Sequence, residues 1–149
     1  MAALLLAATV SWAAPPPISA TVHPGAVTQG AVSLRIDHGL VSVVDGKYRA
    51  SMAPPSASAR LMIDGLEAPA LVSCDLQRAV GQPQTLVIEE YVASSGSSSY
   101  GKTGLQQTHV LTDAPLEFVI DPSPSGDYMY EMASPDNSWG IWSCTVETL

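Results

Sequence analysis

Period-two alternation of apolar and polar residues, turn residues at short intervals, and no sustained helical periodicity predict an all-β protein. The expected architecture is an antiparallel β-sandwich, jelly-roll-like, of about ten short strands, preceded by a cleavable signal peptide. A parallel sheet would need long, usually helical crossovers between strands, and the sequence offers none.

The leader comes first. Met1–Val10 reads MAALLLAATV, an uninterrupted small and apolar run, and Ser11-Trp12-Ala13 supplies small residues where a signal peptidase inspects them. The run is too short to cross a bilayer. It departs from the usual pattern in one respect, because no Lys or Arg precedes it. The expected division is therefore a signal peptide over 1–13, an extended Pro-rich start with the first strand over 14–29, and the sandwich over 30–149.

Strand signals then succeed one another. Ile18–Val22 opens the series. In Ala31–Asp37, Val32, Leu34 and Ile36 share one face and Ser33, Arg35 and Asp37 the other. Leu40–Val44, Asp45-Gly46 and Lys47–Met52 spell a two-residue hairpin, since Asp-Gly suits a type I′ turn whose two central residues need φ > 0. That register sets Val43 against Tyr48 and Val41 against Ala50. A second Asp-Gly, Asp64-Gly65, separates Ala59–Ile63 from Leu66–Glu67 and reads as another turn. Ala70–Leu76 and Thr85–Ala93 come next. Glu90 falls on the apolar side of the latter, so the strand should end or bulge there. Ser94–Gly104 reads as a Ser/Gly loop, with Leu105–Thr112, Leu116–Asp121, Asp127–Met132 and Trp139–Val146 after it.

Cys74 alternates with Ala70, Val72 and Leu76, and Cys144 with Gly140, Trp142 and Val146. Both cysteines therefore sit on apolar strand faces, which predicts a Cys74–Cys144 disulfide. With the leader, this points to an oxidising compartment: secreted, periplasmic or cell-surface.

Charge narrows the partners. Charged residues make up 13% of the chain, the formal net charge is −8, and no Lys or Arg occurs after Lys102. Nucleic acid and anionic membrane surfaces both require a basic face, so neither is an expected partner, nor is membrane insertion of the mature chain. Gly96–Thr103 matches the phosphate-loop pattern G-x-x-x-x-G-K-[ST] letter for letter. The preceding strand carries Glu89 and Glu90, and the residues after Thr103 are β-formers rather than a helix start, so the match reads as a hairpin loop.

No catalytic constellation is visible, and no enzyme activity is expected. His23, His38 and His109 are far apart, and no paired metal-ligand or nucleophile-elbow spacing occurs. The one cofactor worth considering is Ca²⁺, which takes oxygen ligands of the kind Asp121 and Asp127 offer in or beside loops. For ligand binding, Trp139 stands at the end of the turn Pro135–Ser138 near Asp136, Asn137 and Tyr128. An exposed Trp there would stack on a sugar face while its neighbours bound hydroxyls. Trp142, by alternation, is assigned to the core beside Cys144. Two functions result. The first is an exported, non-catalytic structural or protein-interaction sandwich, an envelope, fibre or surface-assembly component that binds a protein partner or itself. The alternative is a carbohydrate-binding module for a neutral glycan. A buried Trp139 with an open apolar edge strand would favour assembly; an exposed Trp139 in a groove would favour sugar.

Overall fold

The computed structural model describes residues 17–25, 28–54, 56–78, 84–94, 97–123, 125–135 and 137–149. The expected leader lies outside them, as do Gly96 and Asp136. The described chain forms strands β1 (Ser19–Val22), β2 (Thr28–Gln29), β3 (Val32–Asp37), β4 (Leu40–Val44), β5 (Lys47–Met52) and β6 (Ser58–Leu66). After them come β7 (Ala70–Gln77), β8 (Thr85–Ala93), β9 (Gly101–Val110), β10 (Leu116–Ile120), β11 (Gly126–Ala133) and β12 (Trp139–Thr148). No helix among the described residues is long and apolar enough to cross a membrane.

Two antiparallel sheets result. The first runs β10-β7-β12-β5-β4, with β1 also paired to β12; the second runs β2-β3-β6-β11-β8-β9. Alternate residues of each sheet turn inward, and the core is the sum of these inner faces. Val72, Cys74, Phe118, Ile141, Cys144 and Val146 come from the first sheet, and Leu34, Leu61, Ile63, Leu86, Tyr130 and Met132 from the second. Phe118 and Tyr130 meet across the gap with ring centroids 5.4 Å apart, and Tyr130 stacks on Tyr128 within its own sheet at 6.3 Å.

The Asp45-Gly46 hairpin forms as its sequence requires. Asp45 has φ 52° and Gly46 φ 76°, and Val43 pairs with Tyr48 and Val41 with Ala50. The second Asp-Gly is not a turn. β6 continues through it to Leu66, and Asp64 and Gly65 together oppose Asp127 alone, between the pairs Gly126↔Leu66 and Tyr128↔Ile63. Gly65 takes φ 65° and its N–H donates to Asp127 Oδ1 at 2.8 Å, so a glycine bulge replaces the expected break.

Glu90 marks a second irregularity. Thr103, Gly104 and Leu105 bulge out between the pairs Glu89↔Gln106 and Tyr91↔Lys102, with Gly104 at φ 90°. β8 itself runs on to Ala93 rather than stopping. The Tyr130 hydroxyl donates to Glu90 Oε2 at 2.6 Å and Thr103 Oγ1 to Glu90 Oε1 at 2.8 Å, which satisfies a carboxylate on an otherwise apolar face. β9 starts at Gly101, so the Ser/Gly connection is shorter than the expected Ser94–Gly104 loop.

The disulfide is present. Cys74 and Cys144 are directly opposed on β7 and β12, both fully buried, with an S–S distance of 2.08 Å. It therefore links two central strands of one sheet rather than the two sheets.

Candidate functional site

Two strand faces have to be corrected before a site can be assembled. Trp139 is the first residue of β12 and pairs with Met52, which faces the core, so Trp139 turns inward and is only 4% exposed. It is not the exposed platform expected from its place after a turn. Tyr128, its expected partner, is 1% exposed beneath the sheet. Asn137 is partly buried, and its carbonyl accepts from the buried Gln84 Nε2 at 3.0 Å, which pins the segment before β12. Asp136 lies outside the described residues.

The second correction concerns Trp142. Trp139 and Trp142 are three residues apart, so period two places them on opposite faces. Ile141 pairs with Leu76 and Ser143 with Asp75, leaving Trp142 as an extra residue in a β-bulge. The bulge lets Ile141 and Cys144 both point inward, and it turns Trp142 out to the solvent side of the first sheet. There the Arg49 guanidinium lies over the ring, 5.6 Å from its centroid. One backbone insertion thus moves an indole from the expected core to the surface.

The bulge also falls where β12 changes neighbours. On one edge β5 pairs with Trp139–Ile141, and β1 takes over at Cys144. Trp142 and Ser143 occupy the notch between them. His23, just past β1, is bonded through Nδ1 to the Trp142 carbonyl at 3.2 Å. The hairpin tip closes the other side. The result is a cleft of about 350 Å³ holding Tyr48 and Trp142 together with His23, Asp45, Lys47, Asp75 and Ser143. Tyr48 is 49% exposed. Trp142 on the outer face, ringed by short donors and acceptors, makes an amphipathic surface, apolar on the ring and polar at the rim, while Tyr48, which alternates with the buried Ala50 and Met52, borders the cleft from the opposite side of β5.

A second cleft, of about 460 Å³, lies on the other side of the Arg49–Trp142 stack. Its floor is the outer face of the first sheet, where Ser51, Gly140 and Gln77 form one cross-strand row. Gly140 keeps that floor low: a Cβ there would lie 3.3 Å from the Ala50 carbonyl oxygen and 3.4 Å from Gln77 Cβ. Arg49, Arg78 and His38 stand around it.

The outer face of the second sheet is different in character. Arg35, Arg60, Glu131 and Glu89 succeed one another across β3, β6, β11 and β8. Arg60 Nε sits 2.9 Å from Asp37 and 3.1 Å from Glu131, and Arg35 also pairs with Asp37, so these charges are mutually neutralised. Asp64 and Tyr100 flank a hollow on this face, and burial, with the nearby Asp127 charge as the lesser cause, pushes the Asp64 carboxyl above its ordinary range. Asp127 is buried and turned to the Gly65 N–H, and Asp121 is exposed. No three His, Cys, Asp or Glu side chains among the described residues are placed to hold a metal ion. Lys102 and Thr103 of the phosphate-loop pattern stand on β9, bonded to Glu89 at 3.1 Å and Glu90 at 2.8 Å. The chain after Thr103 stays in β9 as far as Val110, so no helix begins there to receive a phosphate.

No protein-family model matches the sequence, and no curated protein matches it. Solved structures do share its architecture. One belongs to a family GH115 4-O-methyl-α-glucuronidase with specificity for decorated arabinogalactans, at TM-score 0.52 and 9% identity over 74% of this chain. Another is a family two carbohydrate esterase from Cellvibrio japonicus, at TM-score 0.51 and 12% identity over 90% of this chain. This chain spans 16% of the first and 35% of the second. The fold is the feature shared with both. A non-crystalline-cellulose-specific module, CBM28, superposes at TM-score 0.44, too loosely to bear on the site.

The site residues that sequence reasoning missed are Arg49, Tyr48 and Trp142. Arg49 was within reach, because the Asp45-Gly46 register already put it on the solvent face of the hairpin. No sequence signal marked Trp142, because the odd spacing of the two tryptophans requires opposite faces without saying which one is outward, and the bulge decides it.

Proposed function

We propose that this chain is a non-catalytic, glycan-binding β-sandwich of the secreted, periplasmic or cell-surface compartment. The reading rests on the half-buried Trp142 on the outer face of the first sheet, which lines one cleft with Tyr48, His23, Asp45, Lys47, Asp75 and Ser143. Sugar rings present apolar C–H faces and a polar rim of hydroxyls, and this cleft offers the complement of both. The fold likeness adds context: similar sandwiches are parts of a carbohydrate esterase and of a glucuronidase with specificity for decorated arabinogalactans. The buried disulfide supports the exported compartment. The buried Trp139 and the open β4 edge are the outcome set out above for assembly, so the sugar reading loses its Trp139 support and is carried by Trp142 instead.

Affinity electrophoresis through gels containing soluble polysaccharides tests it. The protein should be retarded by at least one polymer, and Trp142→Ala or Tyr48→Ala should restore free mobility. Retention that is indifferent to both substitutions, or no retention by any polymer, defeats the reading.

A second reading is self-association through β4. This strand lies at the rim of the first sheet, and Leu40 and Val43 are 71% and 61% exposed. Leu40–Val44 carries no charge and no proline, the usual safeguards of an edge. Size-exclusion chromatography across concentration separates the readings, since a strict monomer leaves β4 unpaired.

A further inference from the structure

The cationic groups of this chain are few and mostly spoken for. Of the six Lys and Arg side chains, Arg35, Arg60, Arg78 and Lys102 each pair with a carboxylate. Arg49 does not: among the described residues no carboxylate approaches it. Its Nη1 donates to Gln77 Oε1 at 3.2 Å, its Cζ lies over the Trp142 ring at 5.6 Å from the centroid, and its Nε is buried without a hydrogen-bond partner. That Nε has no exposed surface, so a ligand in the neighbouring cleft would reach Arg49 through the remaining N–H donors of its two terminal nitrogens.

The surroundings agree. The 460 Å³ cleft around Arg49 also takes in Arg78 and His38, and no Asp or Glu among the described residues lines it. Arg78 Nε lies 3.1 Å from Asp113 Oδ1, and the Asp113 side chain is 91% exposed, so solvent weakens that pair. Two guanidiniums and an imidazole therefore border one hollow in a protein of net charge −8. At physiological ionic strength charges are screened within about 8 Å, so this local excess outweighs the distant acidic surface for a group bound inside the hollow. Guanidinium groups match planar carboxylates through paired N–H donors.

We infer that the Arg49 cleft is a carboxylate subsite, and that the glycan bound beside Trp142 is an acidic one carrying uronic-acid residues. This deepens the glycan reading and rests on it. Arg49 joins the two clefts: its guanidinium lies over the indole on one side and lines the 460 Å³ cleft on the other. The neutral glycan expected from overall charge gives way to an acidic one on local charge.

The experiment compares three uronate polymers (polygalacturonate, alginate and glucuronoxylan) with the carboxyl-reduced form of each and with dextran sulfate. At least one uronate polymer should bind, and carboxyl reduction should weaken it by about tenfold or more, the scale of a charge-assisted contact. Arg49→Gln should produce a similar loss on the native polymer and little on the reduced one. Arg49→Lys, which keeps the charge but loses the fork, should fall between. Equal binding of native and reduced polymers overturns the inference and leaves the glycan reading intact. Equal binding of dextran sulfate overturns the carboxylate assignment in favour of general anion attraction. If no native or reduced polymer binds, the glycan reading fails, and this inference with it.

Discussion

Arg49 lies with its guanidinium 5.6 Å from the centre of the Trp142 ring, on the outer face of the first sheet, and this contact forms the wall between the two clefts. Both residues owe their place to backbone geometry. The type I′ hairpin turns Arg49 outward, and the β12 bulge brings Trp142 round to meet it.

The two tryptophans should behave in opposite ways. Trp139→Ala removes a side chain buried against Met52 and should cost about 3–5 kcal/mol of stability. Trp142→Ala removes a half-buried ring and should cost about 1 kcal/mol. Urea denaturation of both variants checks this. A larger loss at Trp142 than at Trp139 would mean that the bulge is misplaced.

Reduction should be strongly felt. The bridge closes a sequence separation of 70 residues, which on the chain-entropy model stabilises the fold by about 4 kcal/mol. Thermal melts with and without reductant should differ by roughly 10 °C or more. Intact mass should rise by the two protons of the freed thiols.

Alkaline stability should be limited by phenols. Burial, then the Glu90 hydrogen bond and charge, holds Tyr130 far above the ordinary tyrosine range, and burial likewise raises Tyr128 and Tyr100. The folded state keeps these protons, while the unfolded chain loses them near pH 10, at about the ordinary tyrosine pKa. Unfolded molecules then bind fewer protons, so stability falls as pH climbs above that point. Tyrosinate absorbance should lag in the native protein and rise abruptly on unfolding. Tyr130→Phe should flatten the alkaline loss, yet lower stability at neutral pH by about 1–3 kcal/mol, because Glu90 loses its phenol donor.

Asp64 carries a smaller lever. Its carboxyl is raised by burial and by the Asp127 charge, so the folded state disfavours ionisation, and stability is lost as pH rises past the unfolded value of 3.8 through the folded one. Asp64→Asn should therefore stabilise at neutral pH. The gain should be a few tenths of a kcal/mol, since the group is largely solvated. The difference from wild type should vanish near pH 3, at about the point where both forms are uncharged. Chemical denaturation at the two pH values measures it.

How much of this was legible in the residues depends on where the backbone is regular. Asp45-Gly46 revealed its hairpin down to the register, because a short loop has few solutions and Val41, Val43, Tyr48 and Ala50 reinforce the same one. Cys74 and Cys144 were legible as an apolar-faced pair. The failures cluster at bulges. Asp64-Gly65 uses the same dipeptide as a true turn, and only the partner strand, through the Asp127 carboxylate, makes it a bulge. At β12 the insertion of one residue reverses the faces on either side, so the alternation counted back from Cys144 assigned Trp142 to the wrong side. The candidate site sits at that discontinuity. For that reason a period-two reading found the fold and misplaced the tryptophan.

Strands β1 and β12 lie side by side, with Ser19 opposite Glu147 and the Thr148 N–H bonded to the Ile18 carbonyl at 2.9 Å. The chain thus enters and leaves through a single doorway. Tension applied at those two points would open the pair like a zipper, one ladder rung after another, instead of shearing all rungs together. Such a unit yields readily under pull at its first strand, while the Cys74–Cys144 bond keeps β7 and β12 together behind it.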